Sequence, residues 1–275
     1  MTDSYTLSEG RAPLLISLPH DGVELPPELQ PRLTEAGLRV ADTDWHVGRL
    51  YEPIARRLGA SLLRPRWSRY LIDLNRPADG VPLYPGRRET GLCPLVSFAD
   101  EALYLPGEAP TVAEVQARVT QYWRPYHDAL ANELARLRGR FERVLLWEGH
   151  SIRSVCPMFF EGRLPDYNLG TAAGHSAAPE LASQLLAVLA RHPHPHVLDG
   201  RFQGGYITRH FGAPAQGVHA VQLELTQASY MDEAPPFPWD ADRAAGAQRV
   251  ISELLAAALM WATAAAGGRA VRTRD

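Results

Sequence analysis

The chain has 275 residues, 45% hydrophobic and 21% charged, which is enough apolar material for a sizeable core in one large α/β domain. A formal net charge of −3, with no long Lys/Arg block, excludes a protein that tracks nucleic-acid phosphates and leaves a small molecule as the expected partner. The two cysteines, Cys93 and Cys156, form no CxxC pair, which excludes a zinc ribbon and a thioredoxin-like motif and argues against a disulfide framework.

Taken in chain order, MTDSYTLSEGRAP lacks the charged-then-apolar order of a secretory leader, so a cytoplasmic protein is expected. LLISLPHDG reads as a strand whose apolar run stops at His20. Residues 25–40 start Pro-rich and mix loop with a short helix. From Asp42 to Leu58, Val47, Leu50, Tyr51, Ile54 and Leu58 recur at helical spacing behind an Asp/Thr/Asp start that resembles a cap, with Pro53 as an imperfection. ASLLRP follows as a second strand, and this β-α-β order favours a parallel or mixed sheet. RYLIDLNR is expected to be another strand.

Residues 77–110 are dense in Pro and Gly and form a long loop, a candidate cover for a site. Thr111 to Phe141 has the clearest helical period, interrupted near Pro125, and leads into the strand RVLLWEGHS with His150 at its end. Beyond it come a loop over 157–178, a helix around ELASQLLAVLARH, a Gly-rich turn in GRFQGGYITRHFG, the strand VHAVQLELT with Glu224, and a terminal helix over 240–264. The apolar run LLAAALMWATAAA within it is too short to span a bilayer, so no membrane partner is expected. The tail GGRAVRTRD reads as frayed. No repeat or linker divides the chain, and residues 1–275 are expected to form a single catalytic domain.

In α/β sheets ligands gather at the carboxyl ends of strands, so His20, His150 and Glu224 are expected to share a cleft. Two imidazoles plus an acidic residue suit an open zinc site, or one for another divalent metal, although a lone His after a strand is more often only a satisfied polar group. The third ligand is one of Asp21, Glu24, Asp42, Asp44 and His46; for Asp42 or Asp44, helix capping is the plain alternative. Glu224 points away from Val221, Leu223 and Leu225, which makes it either a solvent-facing edge residue or a general base in the cleft. Arg69, Asp73, Asn75 and Arg76 form the densest polar cluster, and Arg153 and Arg209 lie near other site segments. Arginine forks bind carboxylates bidentately, so Arg69, Arg76, Arg153 and Arg209, with Asn75, are candidate substrate-binding residues. HPHPH at 192–196 looks like a metal tract but fits a surface connection better.

Across nearly its whole length the chain resembles the N-formylglutamate amidohydrolase (deformylase) family. The likeness is carried by LLISLPHDG, DTDWH, SRYLIDLNRPADG, YWRPYHDAL, GHSIRS, LPDYNLGT, GRFQGGYITRHFG and HAVQLELTQASYMDE. It implies a three-layer α/β/α fold with a mixed, mostly parallel sheet, phosphorylase/hydrolase-like and akin to zinc carboxypeptidases. It further implies zinc-dependent hydrolysis of N-formyl-L-glutamate to formate and L-glutamate, as in histidine degradation. By the same resemblance His20, Asp44 and His150 are the metal ligands, Glu224 carries the proton, and the arginines grip two carboxylates. This sequence departs from the family's pattern at Asp21, where a small residue is usual, and at Glu148-Gly149-His150, where an Asp-containing motif is usual. Competing expectations are a zinc amidase or peptidase acting on another N-acyl group, and a non-catalytic binder of acidic amino acids. A serine hydrolase is disfavoured because no GxSxG elbow is present.

Overall fold

The computed structural model describes residues 4–83 and 86–264. Its elements are β1 (Tyr5–Ser8), β2 (Leu14–Ser17), α1 (Glu35–Leu38), α2 (Val47–Leu58), β3 (Ser61–Pro65), α3 (Val112–Arg118), α4 (Arg124–Arg138), β4 (Val144–Ile152), β5 (Tyr167–Gly170), α5 (Pro179–Leu189), β6 (His196–Leu198), α6 (Tyr206–Phe211), β7 (Val218–Thr226) and α7 (Ala241–Ala264). The strands form one sheet in the order β1-β3-β2-β4-β7-β5-β6. From β3 through β2 and β4 to β7 every pairing is parallel, while β1 joins β3 and β5 joins β7 in antiparallel fashion. The sheet is therefore mixed and mostly parallel, as expected.

Side-chain alternation along the central strands feeds two separate cores. Leu14, Ile16, Leu145, Trp147, Val221, Leu223 and Leu225 face α2, α5 and α7. Leu15, Val144, Leu146 and Ala220 face α4, the Tyr70–Leu74 stretch and Ile207 of α6. Helices thus cover both faces, which explains why the central strands are apolar on both sides at their starts. Trp147 is almost fully buried and its indole N–H donates to the Tyr51 hydroxyl at 3.0 Å, so the largest side chain of the sheet leaves no polar atom unmet.

Several sequence expectations need correction. RYLIDLNR forms no strand: Leu71 N–H donates to the Ser68 carbonyl and Arg76 N–H to the Asp73 carbonyl, closing turns, while Asp73 N–H reaches the Leu92 carbonyl of the long loop, so no ladder forms. Its apolar residues Tyr70, Leu71, Ile72 and Leu74 do not alternate, and a non-strand path buries all four while Arg69, Asp73 and Asn75 turn toward the sheet ends. Helix α2 begins at Val47 rather than Asp42, and its N-cap is His46 without a side-chain cap bond, so neither Asp42 nor Asp44 serves as its cap. β1, β5 and β6 have three or four residues each, too few for a readable period, and β6 starts inside HPHPH. Part of the expected Gly-rich turn is α6. The interruption expected near Pro125 is a π-helical turn over Val119–Trp123; Pro125 has no N–H for the carbonyl four residues back, and the helix widens just before it. The tail GGRAVRTRD lies outside the described residues. Among the described residues no helix is long and apolar enough to cross a membrane.

Candidate functional site

Toward their carboxyl ends, β4 and β7 exchange apolar for polar residues on the α4 side of the sheet. Register sets Ser17 beside Glu148, Glu148 beside Gln222, and His150 beside Glu224. His20 follows β2 by three residues. These strand ends open into a cleft of about 590 Å³ whose lining includes His20, Asp44, His150 and Glu224. Glu224 lies on a central strand rather than an edge and is only 7% exposed, so of its two readings the cleft holds and the solvent-facing one does not.

Of the five proposed third partners, the structure brings only Asp44 to the two histidines. Its backbone N–H donates to the His20 carbonyl at 3.1 Å, and its Oδ2 accepts from the Ser151 N–H at 3.0 Å, which ties it to both β2 and β4. Oδ2 lies 3.1 Å from His150 Nδ1 and 3.8 Å from His20 Nδ1. Donor atoms of His20, Asp44 and His150 all lie within 4.8 Å of one another, and all three residues are buried. Elsewhere, Asp21 accepts from Gly48 N–H and pairs with Arg64, Glu24 pairs with Arg66, Asp42 accepts from the Tyr70 hydroxyl and Phe98 N–H, and the His46 ring meets the Phe237 carbonyl.

The far side of each imidazole is also held. His20 Nε2 donates to Asp73 Oδ1 at 2.7 Å, which leaves Nδ1 with its lone pair; Arg69 Nη1 donates to that nitrogen at 3.3 Å. Around His150 Nε2 stand Asn75 Nδ2 at 3.0 Å and Glu148 Oε2 at 3.7 Å. Glu148 is fully buried and accepts from the Ser17 and Thr208 hydroxyls. It lies on the strand that carries His150, where the sequence pattern departs from the family.

Burial and charge act against each other here. Burial disfavours charged His150, but its hydrogen bond to Asp44 and the nearby Glu148 carboxylate outweigh that and hold its pKa well above the ordinary value. Burial and the Arg69 charge push His20 down. Asp44 and Asp73 are held low because their cationic neighbours overcome burial. Glu224 is pushed up to about 8, chiefly by burial, against the pull of His150.

Arg69, Asn75 and Arg76 line the cleft; Arg153 and Arg209 are not among its lining residues. Arg153 stands 3.6 Å from Asp42, and Arg209 is exposed on α6 with Nε on the Gly204 carbonyl. Sequence reading missed Gln222, which accepts from Gly205 N–H and donates to Glu224, and missed Arg201, a cleft-lining residue hidden in a Gly-rich stretch.

With this geometry in hand, comparison with known proteins is decisive. Residues 12–231 match the profile of the N-formylglutamate amidohydrolase family. The chain belongs to that family. Among N-formylglutamate amidohydrolase relatives, the N-formylglutamate deformylase of Pseudomonas aeruginosa is 50% identical over 262 residues, covering 95% of this chain and 98% of that protein. The Pseudomonas putida N-formylglutamate deformylase is likewise 50% identical over 262 residues, covering 95% and 97%. The crystal structure of N-formylglutamate amidohydrolase from Ralstonia eutropha superimposes with a TM-score of 0.81 at 26% identity, over 95% of this chain and 99% of that one.

Proposed function

We propose that this protein hydrolyses N-formyl-L-glutamate to formate and L-glutamate in the cytoplasm, as one catalytic unit, with a zinc ion held by His20, Asp44 and His150. One observation carries the reading: two buried imidazoles and a buried carboxylate converge beside Glu224 at the ends of adjacent strands. Family membership and the deformylase relatives support the substrate.

The donor set fits such an ion. Two imidazoles and one carboxylate are a common catalytic zinc set, and the 3.1 and 3.8 Å separations from Asp44 Oδ2 bracket the edge, about 3.4 Å, of a tetrahedral zinc sphere. A carboxylate hydrogen-bonded to the far nitrogen, as Asp73 is for His20, is a usual means of orienting such a ligand, and at His150 the far nitrogen meets Asn75. When bound, the metal supplies Lewis acidity, polarising the formyl carbonyl and lowering the pKa of water.

Glu224 accepts a proton from the attacking water at a carboxylate oxygen and returns it to the departing nitrogen. Poised by burial near neutrality, it exchanges a proton at little cost in either direction, and a nearby cation favours its ionised form. Gln222 fixes one of its oxygens through the 3.3 Å bond to Oε2. Arg76 binds a substrate carboxylate and holds the formamide carbon in place. Arg69, buried 3.9 Å from Asp44, adds positive charge where an oxyanion develops.

The decisive test is formate release from N-formyl-L-glutamate by purified protein, after chelator treatment and after zinc is restored. Activity lost and then regained is the expected result. Zinc-loaded protein that releases no formate would overturn the reading.

A further inference from the structure

Three guanidiniums line the cleft, those of Arg69, Arg76 and Arg201. Arg69 is committed to the imidazole cluster through Asp73 at 2.6 Å and His20 at 3.3 Å. The other two are tied to a single short stretch of the long loop. Arg76 Nε donates to the Thr90 carbonyl at 3.0 Å and Arg201 Nη2 to the Arg88 carbonyl at 3.5 Å. Residues two apart separate their carbonyls by no more than about 7 Å, so one short stretch of backbone anchors both cleft-lining arginines. The carboxylate carbons of an extended glutamate skeleton are about 5 Å apart, so one such molecule has two anionic ends to offer two arginines of one cleft.

Glu89, the residue between those carbonyls, engages Arg76 only loosely. Glu89 Oε2 is 3.6 Å from Arg76 Nη1, too long for a hydrogen bond, and this buried oxygen has no hydrogen-bond partner. A substrate carboxylate forming a bidentate pair with Arg76 improves on that contact. Arg201 is braced differently: its Nε donates to the Phe159 carbonyl at 2.6 Å, and its guanidinium lies 5.7 Å from the Phe159 ring centroid and 5.2 Å from that of Phe202. Aromatic walls exclude water and strengthen a charge-assisted bond formed there.

We infer that Arg201 grips the side-chain carboxylate of the substrate and so makes the enzyme select a diacid. The inference rests on the hydrolase reading above. Arg76 follows Asn75, whose amide touches His150, so it serves the α-carboxylate, attached to the same carbon as the formamido nitrogen. The side-chain carboxylate, two methylenes further out, meets Arg201.

The test compares kcat/KM for N-formyl-L-glutamate and N-formyl-L-glutamine in zinc-loaded wild type, Arg201→Met and Arg201→Lys. Loss of a hydrogen-bonded charge pair predicts that preference for the diacid shrinks about 10- to 100-fold in Arg201→Met and less in Arg201→Lys. Equal losses on both substrates in Arg201→Met would overturn the assignment. Calorimetric binding of L-glutamate and L-glutamine to the same proteins gives a readout independent of turnover. If wild type releases no formate, the hydrolase reading fails on its own, and the binding preference still decides Arg201. A margin unchanged in Arg201→Met refutes its role, whereas a lost margin supports it.

Discussion

Asp73 Oδ1 accepts from His20 Nε2 at 2.7 Å while Oδ2 of the same carboxylate takes Arg69 Nη2 at 2.6 Å. One buried side chain thus sets the ring orientation of His20 and places the guanidinium beside it. Asp73→Asn keeps the shape but halves the acceptor capacity and removes the charge. Loss of an orienting carboxylate weakens metal binding about 10- to 100-fold, which zinc titration against a competing chelator measures. An unchanged zinc affinity would separate Asp73 from the metal site.

Glu224 differs from the three clustered residues in its expected response to mutation. Glu224→Gln preserves volume and removes the proton acceptor, so formate release should fall about 10²- to 10⁴-fold with zinc content unchanged. His150→Ala should lose both, because it removes a donor. Metal analysis and turnover on the same preparations distinguish the two. A Glu224→Gln protein with near wild-type turnover removes this residue from the proton path.

The parts of the site that were legible in sequence are those delivered by long, regular runs. His150 and Glu224 each lie two residues before the end of a nine-residue strand, and hydrophobic periodicity locates such strands well. The choice of Asp44 over Asp42 could not be read locally, because it is made by the Ser151 N–H, 107 positions away. Asp73 was visible in a polar cluster, but its partner His20 lies 53 positions back. RYLIDLNR misled because dense apolar content resembles a strand even when alternation is absent. Arg201 lies inside the motif GRFQGGYITRHFG but was not singled out, because it gains meaning only when its guanidinium meets the Arg88 carbonyl of the long loop, two residues from the Thr90 carbonyl that holds Arg76.

Low pH should destabilise the fold through His127. Its ring stacks on Trp123 at 3.6 Å between centroids, and its Nε2–H donates to the Leu74 carbonyl at 2.9 Å. Burial pushes its pKa down to about 3, against that hydrogen bond, from an ordinary value of 6.5. A folded-state pKa below the unfolded one means that this stability is fully present above pH 6.5 and is lost as pH falls toward 3. Two pH units below 6.5 the loss amounts to about 3 kcal/mol. Urea unfolding of wild type and His127→Gln at neutral pH and at pH about 4.5 isolates this contribution. The variant starts less stable and loses less on acidification; parallel losses in the two proteins would count against a neutral buried imidazole.

Gly205 joins packing to the site. A Cβ there would fall 2.3 Å from Asn75 Nδ2 and 2.5 Å from its Oδ1. Those are the atoms that contact His150 and accept from Ile207 N–H, so Asn75 cannot yield without releasing both. Gly205→Ala should therefore cost about 1–3 kcal/mol, the usual penalty for overpacking, and lower kcat/KM as well. Gly246 in α7 is the matched control, since a Cβ there meets nothing within 4 Å. Gly246→Ala should stabilise the helix by up to about 1 kcal/mol and leave turnover unchanged. Thermal unfolding and formate release measured on both variants test the contrast; a Gly205→Ala protein as stable and active as wild type would show that Asn75 does not depend on the absent side chain.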